Sequence, residues 1–356
     1  MDGIDAALLA IEDDGCRILA THCHPLAEDL ATDLRRLVAE GHEAPLDLFG
    51  RLDVAIGCAF AEAVHALLES CEQTKEDVRA IGSHGQTVLH SPVGKHPYTL
   101  QIGDPNIIAA RTGIRTVADF RRRDLALGGQ GAPLAPAFHN AFFRSADEYR
   151  VVLNLGGIAN VTVMPPGAGI SGFDTGPGNT LMDAWIRRHL DQPFDDNGQW
   201  ASSVETDDEL LKLLMEHPFF ELTAPKSTGV EDFNLPWLDK KLGELSNALE
   251  PATVQSTLCE LTARTVAEAL VTDSGKTGRL LVCGGGAHNG ELLRRLSARL
   301  PGWAVGPTDD VGISSDWVEA AAFAWLAHRT LEGLPGNLPE VTGARCETIL
   351  GAIYPC

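Results

Sequence analysis

Two apolar runs open the chain, 4–12 (IDAALLAIE) and 17–23 (RILATHC), and Asp13-Asp14-Gly15 between them is a turn that joins strands in a hairpin. Apolar residues then recur at Leu52, Ile56, Phe60, Ala63, Val64, Leu67 and Leu68, a spacing that predicts an amphipathic helix. Residues 78–82, 98–102 and 115–118 read as strands, and Asp104 before Pro105 marks a helix start. Past a polar patch at 145–150 the pattern restarts. Residues 151–155 (VVLNL) and 158–163 predict two strands joined by a tight Gly156-Gly157 turn. Val254, Leu258, Leu261, Thr262, Thr265 and Val266 mark another amphipathic helix. Residues 280–283 form a buried strand running into Gly284-Gly285-Gly286, and Asn289 stands where it would cap the helix of Leu292, Leu293 and Leu296. The last periodic segment is 316–331, with Trp317, Ala321, Ala324 and Trp325 on one face. Two segments that each open with a hairpin and continue as alternating strands and helices predict a duplicated α/β fold. Its expected lobes are residues 1–149 and 150–356, with a cleft between them.

The length of 356 residues suits two domains. Charge narrows the function. Lys+Arg total 28 against 49 Asp+Glu, a net charge of −21, which excludes a general nucleic-acid binder and disfavours anionic membrane surfaces. Any anionic ligand must therefore be held by a local basic pocket or by backbone amides. No window reaches the roughly 18 unbroken apolar residues of a membrane helix. Asp2, Asp5, Glu12, Asp13 and Asp14 stand where a signal peptide would be basic and then apolar, so the expected location is cytoplasmic. The 8 cysteines are scattered without a Cys-x-x-Cys pair and are expected to be free thiols. His22-Cys23-His24 lacks a second ligand pair at a usable spacing, so no protein-built metal site is expected.

Candidate chemistry sits at the ends of the strands. The run 154–160 (NLGGIAN) leaves backbone N–H groups free to converge on a phosphate, though an ordinary hairpin turn asks for the same glycines. In 172–179 (GFDTGPGN), Asp174 is held in a Gly/Pro turn ahead of a helix. It is the candidate general base, the alternative being a capping carboxylate. Asp183 reads as a solvated helix-face residue or a helix-start charge. Residues 281–289 (LVCGGGAHN) place glycines between a buried strand and a helix, a geometry that suits a nucleotide. Neither a Walker A loop nor Gly-x-Gly-x-x-Gly is present. Arg121-Arg122-Arg123, ahead of 128–131 (GGQG), can take a carboxylate or phosphate, or form a salt-bridged surface turn. His84, in the polar loop 83–87, and Glu319, on the last helix, are candidate ligand groups with ordinary structural alternatives.

Taken together, 83–87 (SHGQT), 101–104 (QIGD), 119–124 (DFRRRD), 128–132 (GGQGA), 154–160, 172–179 and 225–229 (PKSTG) resemble the anhydro-N-acetylmuramic acid kinases. So do 283–286, 311–314 (VGIS) and 334–337 (LPGN), in order over nearly the whole chain. The resemblance implies a two-lobed actin, hexokinase and Hsp70-like fold (a duplicated ribonuclease H-like unit), cytoplasmic and homodimeric, with ATP and Mg2+ as cofactors. The implied reaction opens the 1,6-anhydro ring with water while the ATP γ-phosphoryl passes to O6, giving N-acetylmuramic acid 6-phosphate and ADP, a step of peptidoglycan recycling. It implies Asp174 as the catalytic base and His84, Gln86, Arg122 and Glu319 as sugar ligands. Asp2, Gly3, Gly156, Gly157, Gly284 and Gly285 are implied on the phosphate and adenosine side.

Two departures from the family pattern carry expectations. Relatives have a strand and a Met-Ser-Gly-Thr-Ser-type phosphate loop immediately before the Asp-Gly that is here Asp2-Gly3. A chain without them is expected to be unstable and catalytically weak or dead. Val230 stands where relatives usually have Arg, which removes one expected anion contact. The rival readings are another phosphotransferase of the same fold, such as an exopolyphosphatase or acetate-kinase-like enzyme, and a non-catalytic sugar or nucleotide sensor.

Overall fold

The computed structural model describes residues 3–12, 15–270 and 277–356. It comprises two compact units, Met1–Phe142 with Trp317–Cys356, and Phe143–Asp316. The C-terminal segment that the sequence reading keeps with the second lobe thus packs into the first unit. The reason is pairing in space: its last strand, Ala352–Tyr354, joins the first unit's sheet.

In the first unit, β1 (Gly3–Glu12) and β2 (Gly15–Pro25) form an antiparallel hairpin, registered from Gly3 opposite Pro25 to Glu12 opposite Gly15. The expected turn residues Asp13 and Asp14 lie outside the described residues. Apolar spacing does produce a helix, Leu46–Ser70, which buries Leu48, Leu52, Ile56, Leu67 and Leu68. The expected strand at 78–82 shrinks to β3 (Ile81–Gly82), because Thr74 and Asp77 close a capping box around a 3-10 turn just upstream. Then follow β4 (Gln86–Ser91), β5 (Tyr98–Ile102) and β6 (Thr116–Ala118). β3 runs parallel to β6, and Ala352–Tyr354 pairs antiparallel on the other side of β6. β4 and β5 form their own hairpin. As expected, Asp104 starts the helix Pro105–Thr112, its carboxylate accepting from the Asn106 N–H at 2.8 Å. The helix Val318–Leu331 packs on β1 and β3, so closely that a Cβ on Gly82 would strike the Phe323 carbonyl. Leu34, Leu37, Leu52, Ile56, Val88 and Ile102 close a core under the helix Leu46–Ser70.

The second unit is built on five strands: β7 (Arg150–Leu155), β8 (Ile158–Met164), β9 (Ser171–Pro177), β10 (Arg279–Cys283) and β11 (Ala304–Pro307). Their order is β11-β10-β7-β8-β9, with β10 parallel to both neighbours and β8 antiparallel to both of its own. β7 is central, and Val151, Val152 and Leu153 are all fully buried, as a strand covered on both faces requires. The helix Pro251–Leu270 buries Val254, Leu258, Leu261 and Val266 in the same core as β7 and β10. Asn289 caps the helix Gly290–Arg299 as expected, accepting from the Leu292 N–H at 3.0 Å. Much of the 172–179 stretch, expected to be a rigid turn, instead lies in an edge strand, Ser171–Pro177, which places Pro177 at the end of the strand opposite Ile158, where a proline is tolerated. No helix among the described residues is long and apolar enough to cross a membrane.

Candidate active site

One row of paired residues crosses the second unit's sheet. Asn154 on β7 is opposite Asn160 on β8, which is opposite Asp174 on β9, so three polar side chains share one face where their neighbours are apolar. All three are half-buried. Burial raises the Asp174 carboxyl pKa, while the Thr228 N–H, 2.9 Å from Oδ2, and the Ser227 hydroxyl hold it down. Asp174 is thus a carboxylate in a partly dry site, restrained by two donors. The sequence reading quoted Asn160 only as the end of a motif; its register opposite Asp174 becomes visible once the strands are paired.

The glycine turns lie at the same end of this sheet. Gly156 and Gly157 join β7 to β8, and their carbonyls accept from the N–H groups of Gly178, Asn179 and Thr180 at 2.8–3.2 Å. That clamps the start of the helix Thr180–Leu190 against the turn. Neither glycine has a positive φ, and a Cβ on either would meet nothing closer than 3.7 Å. Hairpin strain therefore does not explain them, and the space a side chain would fill stays open. Val230 borders this space: a Cβ on Gly157 would lie 3.9 Å from its side chain. At the end of β10, Gly284 has φ 79, and its Cβ would collide with Asn154 Oδ1 and the Leu155 carbonyl. The Asn179 amide donates to the Leu155 carbonyl at 2.9 Å, tying the strand end to the helix start. The 311–314 segment folds onto the same end, with the Gly284 N–H donating to the Ser315 carbonyl at 2.9 Å.

The first unit holds a second cluster. Arg121 Nε donates to His84 Nε2 at 2.9 Å, which places the imidazole proton on Nδ1, and its Nη1 donates to the Gly131 carbonyl at 2.8 Å. Burial, and then the Arg121 charge, push the His84 pKa down to about 3, so the ring is neutral; a hydrogen bond to the Gly85 backbone opposes them. The Phe323 ring centre lies 4.5 Å from that of His84. Glu319, on the first turn of the same helix as Phe323, is open to solvent but crowded by protein. That crowding raises its carboxyl pKa and Arg121 lowers it. The cluster is one half-buried cation with a neutral acceptor on one side and a carboxyl on the other.

Of the three arginines, Arg121 joins this cluster. Arg122, the expected sugar ligand, is 57% exposed and pairs with Asp119 at 3.5 Å. Asp119 sits at φ 63, a left-handed conformation uncommon outside glycine, and turns the chain out of β6. The chain then starts a short helix, Arg122–Ala126, instead of continuing extended. Gln86 lies on β4, its amide donating to the Thr87 carbonyl at 3.2 Å. Gly3 opens β1 opposite Pro25, and Asp2 lies outside the described residues. Two of the quoted motifs prove to be structural. The fully buried Asp124 accepts from the Gly131 N–H, the Asn337 amide and the Thr342 hydroxyl, each at 2.8 Å, and so ties the 128–131 loop to the C-terminal segment. Asp183, expected on a solvated face, is half-buried, and burial pushes its carboxyl up to about 6.

Three parallel strands, β11, β10 and β7, continue into the antiparallel β8 and β9, and glycine turns gather at one end of that sheet beside the half-buried Asp174. The sequence profile of anhydro-N-acetylmuramic acid kinase matches residues 1–356. The chain belongs to that family. The anhydro-N-acetylmuramic acid kinase of Photobacterium profundum is 51% identical over 362 residues, covering 100% of this chain and 96% of that protein. That of Coxiella burnetii (strain Dugway 5J108-111) is 51% identical over 356 residues, covering 99% and 94%. Among solved structures, a ROK family glucokinase from Streptomyces griseus in complex with glucose and AMPPNP is 17% identical with a TM-score of 0.37, over 90% of this chain and 96% of that one.

Proposed function

We propose that the protein is an ATP-dependent kinase that opens the 1,6-anhydro ring of anhydro-N-acetylmuramic acid with water and phosphorylates O6. The products are N-acetylmuramic acid 6-phosphate and ADP. The supporting observation is the placement of Asp174, a half-buried carboxylate in one row with Asn154 and Asn160, at the sheet end that carries the open glycine turns.

The bonds balance around one base. Water adds its oxygen to C1 as Asp174 takes the proton, and the C1–O6 bond breaks with its electron pair on O6. O6 then bonds to the γ-phosphorus as the bridge to the β-phosphate breaks and ADP leaves. O6 needs no base of its own, because ring opening delivers it as the nucleophile. Gly156 and Gly157 leave room for phosphate oxygens to approach the backbone, and Gly285, beyond the tightly packed Gly284, leaves room for the nucleoside. Val230 supplies no charge at the turn it borders, so phosphate binding there rests on backbone N–H groups. Magnesium, when bound, neutralises charge on the phosphates.

His84, Arg121 and Glu319 suit the amino sugar: a fixed cation for its lactyl carboxylate, a neutral acceptor and a carboxyl for its hydroxyls. Gln86 and the exposed Arg122 are assigned to the same sugar by family resemblance. Resemblance also supports a cytoplasmic homodimer. The test is incubation with ATP and anhydro-N-acetylmuramic acid, following ADP release and product mass. The expected product gains one phosphoryl group and one water. A phosphorylated product that keeps its anhydro ring, or ADP release independent of the sugar, would overturn the assignment.

A further inference from the structure

The segment 226–229 lies along the edge of β9, and its contacts converge on one side chain. The Asp174 N–H donates to the Lys226 carbonyl at 3.0 Å, continuing the sheet beyond its edge strand. Two residues on, the chain turns its Thr228 N–H onto Asp174 Oδ2 at 2.9 Å. The Thr228 hydroxyl donates to Asp232 Oδ2 at 2.7 Å, and the Asp232 N–H returns to the Gly229 carbonyl at 3.2 Å. At the near end, Lys226 Nζ donates to the Phe219 carbonyl at 3.3 Å and lies 4.5 Å from that ring's centre.

We propose that this segment is a positioning arm for the base: Thr228 N–H fixes one carboxylate oxygen of Asp174, Ser227 adds a hydroxyl donor, and Asp232 locks the arm through the Thr228 side chain. The inference rests on the reading of Asp174 as the base and adds residues that act on it through hydrogen bonds. An aspartate on an open edge strand is otherwise free to rotate about χ1 and χ2. A donor held 2.9 Å from one oxygen selects one rotamer and turns the remaining lone pairs toward the water. The same donors favour the ionised form against the burial that disfavours it, so the arm sets both aim and basicity.

Thr228→Val removes the hydroxyl that Asp232 holds and keeps the backbone N–H. It is expected to lower kcat about tenfold with KM for ATP within about twofold, and Thr228→Ser to restore kcat to within about twofold. Ser227→Ala is expected to move the acidic limb of kcat/KM upward by about half a pH unit. Unchanged kcat in Thr228→Val together with an unchanged limb in Ser227→Ala would overturn the proposal. So would a loss in Thr228→Val that tracks a fall in Tm and is not rescued by serine, since that is a merely structural role. Asp174→Asn separates the two claims. If it is inactive while the arm variants behave as wild type, the arm fails alone; if it is active, the base reading fails and the arm with it.

Discussion

Replacing Asp183 with asparagine removes a carboxyl that the folded protein holds at a cost. Burial pushes this group from the ordinary 3.8 up to about 6, with Arg187 opposing the rise and Asp195 adding to it. At about 1.36 kcal/mol per pKa unit, ionising it in the folded state costs roughly 3 kcal/mol. Part exposure to water reduces that to about 2 kcal/mol. The sign follows from proton counting. Between about pH 4 and 6 the folded state holds a proton that the unfolded state has lost, so stability falls as pH rises through that window, and the penalty is complete above it. Asparagine matches the protonated acid in shape and never ionises. Asp183→Asn is therefore expected to stabilise by about 1–2 kcal/mol near pH 7.5, a Tm gain of about 2–8 °C, and to be neutral near pH 3.5. Thermal unfolding followed by tryptophan fluorescence at both pH values measures the difference. A gain of equal size at both would refute the reasoning, because packing rather than charge would be its source. A loss at neutral pH would mean that the ionised carboxylate makes a favourable contact.

Two further predictions concern the first unit. Arg121→Met leaves His84 without its donor and the cluster without its cation, and is expected to lower kcat/KM for the sugar by about 10–100-fold. Arg122→Met, at an exposed ion pair, is expected to change it by less than about threefold, and steady-state kinetics that reverse this order would remove Arg121 from the sugar site. Asp124→Ala strands three buried donors and is expected to destabilise by about 3 kcal/mol in urea unfolding, with the C-terminal segment opening first by amide hydrogen exchange.

How much of this was legible in the sequence depended on whether the signal was local. Apolar spacing located the helices Leu46–Ser70 and Pro251–Leu270, and the dipeptide Asp104-Pro105 located a cap, because those signals reside within a few residues. Strand 171–177 was hidden, since its glycines and Pro177 are turn residues by composition and are tolerated only because β9 is an edge. Which arginine of 121–123 turns inward depends on the left-handed Asp119 and the helix that follows, neither of which has a periodic signature. Asp183 reads as polar on an amphipathic helix, and only the approach of Asp195 and the surrounding core shows that face to be half-buried. The glycines at 156–157 were equally suited to a strained hairpin or a phosphate cradle, and the backbone decides the strain half of that question: neither has a positive φ. Motif order over the whole chain carried the family, while the division of labour within motifs, such as a fully buried Asp124 that ties loops together beside an Arg121 bonded to His84, needed the hydrogen bonds.

The central claim is that Asp174 activates water at C1 while O6 accepts the phosphoryl group. Turnover of anhydro-N-acetylmuramic acid with ATP in 18O-labelled water tests it directly, with the product fragmented to locate the label. Label at C1 and none on the phosphate is expected, with loss of labelled product in Asp174→Asn. Label on the phosphate, or an Asp174→Asn variant that still delivers label to C1 at the wild-type rate, would contradict it.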